Sequence, residues 1–124
     1  MSISDNAIQK EALRLLGELE TMPFEDCYPL SRDFDNLPDC PALYAIKYKA
    51  IGIVYIGKSG NIKSRFRGGH KVLSWALLDR VDPSDIRIAV VPVSFEWSRL
   101  LLQLERVAIQ RRKPPFNTRV AKED

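Results

Sequence analysis

The chain has 124 residues, 45% of them hydrophobic and 28% charged, with a formal net charge of +3, which suits one soluble domain around a modest core. No apolar run approaches the roughly 18 residues needed to span a membrane. The first residues lack the basic-then-apolar layout of a secretory signal, and one histidine with two cysteines cannot build a four-ligand zinc centre. The expected compartment is the cytoplasm, with no membrane partner, and Cys27 and Cys40 are read as ordinary thiols. Charge is unevenly placed: residues 1–40 hold three basic and nine acidic side chains, whereas residues 41–124 hold sixteen and seven. A basic region behind an acidic leader implies a polyanionic partner for the former.

Residues 4–19 read as an amphipathic helix capped by Ser4 or Asp5, with Ile8, Ala12, Leu15, Leu16 and Leu19 on one stripe. That stripe is expected to dock on the rest of the chain or to bridge two copies as a homodimer. Residues 21–41 contain Pro23, Pro29, Pro38 and Pro41 and read as an irregular connector, part of which can pack as a short strand. The division is thus an acidic helix and connector over 1–40 and a basic domain over 41–124.

Within the basic domain, residues 42–49 and 51–57 predict an antiparallel hairpin. Asn61 is placed to cap a helix that Gly68-Gly69 breaks, and a second helix is expected over 70–79, with Val72, Leu73, Trp75, Ala76 and Leu77 in the core. Asp82-Pro83-Ser84-Asp85 reads as a turn, and 87–93 as a buried third strand. Ser94 is expected to cap one long helix that ends near Arg112 and is stopped by Pro114-Pro115. The layout is α+β: a small three-stranded antiparallel sheet flanked by helices, with an amphipathic helix in front.

Glu105 shares its helix face with Leu101, Leu102, Ala108 and Ile109. A carboxylate so placed needs a cation, and periodicity leaves two choices: an ion pair with an arginine, or a metal. Tyr44 and Tyr55 are either core fillers or, with cations near, proton acceptors. Lys58, Lys63, Arg65, Arg67 and Lys71 form one basic cluster, and Arg111, Arg112 and Lys113 belong to another. Two such clusters flanking a site suit a phosphate backbone track.

In chain order, Tyr44, Tyr55-Ile56-Gly57-Lys58, Arg65, Glu105 and Asn117 resemble the GIY-YIG endonucleases over about residues 41–120. That family cuts nucleic-acid phosphodiesters with one divalent metal. The first motif here reads Ala42-Leu43-Tyr44 in place of Gly-Ile-Tyr, a change that removes no chemical group. The resemblance implies a nuclease acting on nucleic acid, DNA being the expected substrate, with Mg²⁺ or Mn²⁺ on Glu105. It further implies that one of the two tyrosines is the base, Tyr44 being preferred over Tyr55, with the other tyrosine and Lys58 contacting water or phosphate. Arg65 becomes the phosphate clamp, His70 a proton donor or phosphate ligand, and Gly57 and Asn117 structural supports. The competing reading is a catalytically silent module of the same fold that binds nucleic acid or protein.

Overall fold

The computed structural model describes residues 3–123. Helix α1 (Asp5–Thr21) opens under a cap in which the Ser4 side chain accepts from the Ala7 N–H at 3.2 Å. A two-residue strand β1 (Tyr28–Pro29) lies in the connector, followed by β2 (Ala42–Tyr48), β3 (Gly52–Ser59), α2 (Ile62–Arg67) and α3 (Lys71–Leu78). Strand β4 (Ile86–Pro92), α4 (Leu101–Arg112) and α5 (Pro115–Glu123) complete the chain.

All strand pairs are antiparallel, in the order β1-β4-β2-β3. The α+β class and the three expected strands are present. The fourth strand comes from the connector, where Tyr28 pairs with Ile88 and Pro29 with Arg87. Proline is tolerated there because β1 is an edge strand and owes no outward donor.

Alternation along β2 and β4 divides the core into two layers. Leu43, Ala45, Ala89 and Val91 meet the buried stripe of α1 (Ala12, Leu15, Leu16, Leu19) and Leu101, Leu104 and Ala108 of α4. Ala42, Tyr44, Ile46, Ile88 and Val90 meet Ile62 and Phe66 of α2 and Val72, Trp75 and Ala76 of α3. Helices on both faces explain why these strands read as continuous apolar runs and not as alternating ones. The α1 stripe is thus covered within the chain. Lys47 is buried in the first layer with its ammonium 2.7 Å from the Met22 carbonyl, just past the carboxyl end of α1, where a cation suits the helix dipole.

Three local expectations are corrected. The helix foreseen from Ser94 to Arg112 is split: a 3₁₀ segment, Phe95–Leu100, precedes α4, and Ser94 makes no side-chain cap bond. Within that segment the Ser98 hydroxyl donates to the Phe95 carbonyl at 2.7 Å, a local bond that competes with α geometry. Pro114-Pro115 does end α4, after Lys113 in the left-handed region at φ 51°, yet Pro115 also opens α5. Its ring and missing N–H suit the first position of a helix. Leu77 is 61% exposed instead of buried, because Val72, Trp75 and Ala76 already define the inward face of an eight-residue helix.

Among the described residues, no helix is long and apolar enough to cross a membrane, and Cys27 and Cys40 are free thiols. Since Leu15 is fully buried between α4 and the sheet, Leu15→Ala should destabilise the protein by about 2–5 kcal/mol. Urea unfolding measures this directly, and a loss below about 1 kcal/mol would make α1 a peripheral attachment.

Candidate functional site

The antiparallel register sets Tyr44 on β2 directly opposite Gly57 on β3. The Tyr44 ring lies across that glycine so closely that any Cβ at 57 would overlap its hydroxyl end. Tyr55, two residues before Gly57 and on the same face, is the diagonal neighbour of Tyr44, with ring centroids 6.2 Å apart. A bulge at Ile46/Lys47 follows immediately and shifts the pairing by one residue beyond the tyrosines.

His70 closes the cluster from α3. It caps that helix, its Nδ1 accepting from the Val72 N–H at 3.2 Å. With Nδ1 occupied as an acceptor, the neutral ring carries its proton on Nε2, which donates to the Tyr44 hydroxyl at 2.8 Å. Phe66 stacks on the imidazole at 5.2 Å, and the Tyr55 ring meets it edge-on at 4.9 Å. Burial, and then the nearby Arg65 cation, lower the His70 pKa to about 4. Burial likewise pushes the Tyr44 phenol well above its ordinary value, reinforced by Tyr55 and Glu105 and opposed by Arg65. Arg65 is exposed, and its guanidinium donates to the Gly69 carbonyl at 2.6 Å.

Strand β3 is the outer strand on this side, and side chains hold its free edge. Asn117 of α5 pairs with Ile56 as another strand would: its Oδ1 accepts from the Ile56 N–H at 2.9 Å and its Nδ2 donates to the Ile56 carbonyl at 2.8 Å. Two residues on, where antiparallel alternation again turns the amide outward, Glu105 of α4 accepts from the Lys58 N–H. Burial raises the Glu105 carboxyl above its usual range, while the charges of Lys58 and Arg106 pull it back. The expected cation near Glu105 is therefore met first by a lysine.

The structure thus gathers Tyr44, Tyr55, Arg65 and His70 on one side of β3, with Lys58 and Glu105 at its edge. An open groove of about 620 Å³ runs outward from them, lined by Tyr55, Arg65, His70 and Lys71 and, further out, by Trp75 and Leu78. Other basic residues stand apart. Arg67 binds the connector, its Nε donating to the Asp33 carbonyl at 2.9 Å and Nη2 pairing with Asp35 at 2.6 Å. Arg111 shares a hollow with Gln9 and Leu13 of α1. Lys63 is half-buried on α2; Arg112 is half-buried and Lys113 exposed at the carboxyl end of α4. Among the described residues, no three His, Cys, Asp or Glu side chains gather as a ready metal cage.

Sequence reasoning missed Phe66 and Trp75 as parts of the site's frame. Phe66 stands edge-on to Tyr44 at 5.0 Å, and Arg119 lies 3.9 Å over the Trp75 ring. An aromatic one residue after Arg65, in a helix also bearing Ile62, was the available signal.

No family model matches the chain. It is similar to UvrABC system protein C of Streptococcus mutans, with 35% identity over 95 residues, covering 73% of this chain and 15% of that protein. The same protein of Anaeromyxobacter dehalogenans is 32% identical over 97 residues, covering 73% and 13%. That of Streptococcus thermophilus is 34% identical over 95 residues, covering 73% and 15%. The chain therefore spans about one seventh of the length of these relatives.

His70 supplies a pH test. Its folded pKa lies below the ordinary value of 6.5, so between these values the unfolded chain binds a proton that the folded one refuses. Its contribution should fall as pH drops from about 6.5 to about 4 and level off below. Titration of the single imidazole by NMR should give a midpoint near 4. A midpoint at or above 6 would contradict the buried, Nε2-protonated ring.

Proposed function

We propose that this chain is a nuclease module of the GIY-YIG type that hydrolyses nucleic-acid phosphodiesters, DNA foremost, with the help of a divalent cation. The observation that carries the reading is the Tyr44 oxygen, positioned over Gly57, accepting from His70 and lying within the field of Arg65. The similarity to UvrABC system protein C points the same way.

Tyr44 is the proton acceptor in this reading. His70 donates to its oxygen and so steadies negative charge there, and Arg65 lowers the cost of that charge. Tyr55 in the groove wall and Lys58 at the strand edge hold the attacking water or a phosphate oxygen. The Arg65 guanidinium, exposed and two-pronged, suits a phosphate on which charge develops.

Glu105 is the residue that would hold Mg²⁺ or Mn²⁺. A single half-buried carboxylate fits an ion that keeps several waters and takes the rest of its shell from substrate phosphate. When bound, such an ion supplies positive charge to the phosphate oxygens. Products with a 5′-phosphate and a 3′-hydroxyl are expected, and one site per chain cuts one strand per visit.

Nicking of supercoiled plasmid with Mg²⁺, and its loss on chelation, tests the reading. Glu105→Gln keeps the shape and an acceptor for the Lys58 N–H but loses the charge, and should reduce nicking by at least about 100-fold. Tyr44→Phe should cost more activity than Tyr55→Phe, with both variants folded by circular dichroism. A folded wild-type protein that binds DNA and cuts with neither Mg²⁺ nor Mn²⁺ would leave a binding module instead.

A further inference from the structure

The groove beside the tyrosines has two chemically different ends. Its lining includes Arg65, His70, Tyr55 and, at the start of α3, Lys71, and further along α3 Ser74, Trp75 and, at the helix's other end, Leu78. Leu78 is 77% exposed and its neighbour Leu77 61%, on a helix whose inward face is already complete. Of these two adjacent, mostly exposed leucines, Leu78 lines the cationic groove. The wall behind them is fixed: the Trp75 ring is clasped between Arg119 at 3.9 Å and Phe116, edge-on at 5.8 Å.

A nucleotide has the same polarity, an anionic phosphate at one end and an apolar ring face at the other. The groove's volume of about 620 Å³ falls within the roughly 300–1,000 Å³ typical of small-ligand clefts. We infer that the groove receives a single unpaired nucleotide, its phosphate at Arg65 and Lys71 and its base against Leu78 and the edge of Trp75. This rests on the nuclease reading of the same site and names its substrate class: strands with an unpaired or displaced base next to the cleaved bond. In an intact duplex the ring faces are occupied by stacking, so the apolar end has nothing to contact until a base leaves the stack. That departure costs least where the base is already unpaired.

The test is a binding experiment in chelator, so that it reads independently of cleavage. Fluorescence anisotropy compares two labelled DNA duplexes of equal length and charge, one fully paired and one carrying two unpaired bases. Wild-type protein should prefer the second. Leu78→Ser should reduce that preference about fivefold, the effect of one lost base contact, whereas Leu78→Met should retain it. Leu13→Ser, which removes an exposed leucine from α1, should leave the preference as in wild type. Equal binding of the two duplexes by wild type, binding of neither, or the same loss in Leu13→Ser overturns the inference. Failure of Mg²⁺-dependent nicking in a parallel assay would overturn the nuclease reading separately, while the anisotropy ratio still decides whether an unpaired nucleotide is held.

Discussion

The contact between the Tyr44 ring and the bare backbone of Gly57 sets the position of almost everything else at the site. A side chain at 57 would drive the phenol off the strand, and with it the oxygen that meets His70. His70 is fixed in turn because its other nitrogen caps α3, so the start of that helix and the tyrosine are tied through one ring. Phe66 stacks on the same imidazole and stands edge-on to the same tyrosine, which ties α2 to both. A cross-strand pair thereby orients two short helices, and Arg65 comes with them. The aromatic frame contributes packing, while the polar atoms it encloses keep a single arrangement.

The second organising feature is the unpaired edge of β3. Exposed edges invite pairing with another chain, and here two side chains occupy this one. Asn117 satisfies both polar groups of Ile56, and Glu105 takes the Lys58 N–H. The acid does so at a cost, since burial penalises its charged form and raises its pKa, while the charges of Lys58 and Arg106 oppose that shift. An amide in its place would serve the edge equally well. A carboxylate there also meets the charges of Lys58 and Arg106 and lies within the field of Tyr44.

Much of this was legible in the sequence because it rests on local rules. The stripe of α1, the Asn61 cap and the apolar runs of β2 and β4 each follow from spacing, whereas Gly57 was singled out only through the family resemblance. What was not legible depends on tertiary partners. Pro115 stops one helix and starts another, and nothing local distinguishes the two roles. Leu77 fits a helical core pattern, and only the finished packing of Val72, Trp75 and Ala76 sends it outward. A short strand in the connector was foreseen but not its place: β1 is two residues long, too short for any period, and forms where β4 offers an edge. The His70–Tyr44 bond joins residues 26 positions apart and could not be inferred from either neighbourhood.

The charge asymmetry acquires a structural meaning in the same way. Among the described residues, none of the acidic leader lines the groove. Its connector runs along the far side of α2, where Asp35 and the Asp33 carbonyl bind Arg67, and Asp39 accepts from Asn61 Nδ2 at 2.6 Å. Two positions apart on a helix is about 200° of rotation, so Arg65 and Arg67 point to opposite sides. One arginine is committed to holding the connector, and the other is turned toward His70 and the groove. A uniformly basic α2 would attract a phosphate backbone along either side. Arg67 is instead tied to the connector, while Arg65 keeps its charge on the side bearing the tyrosines.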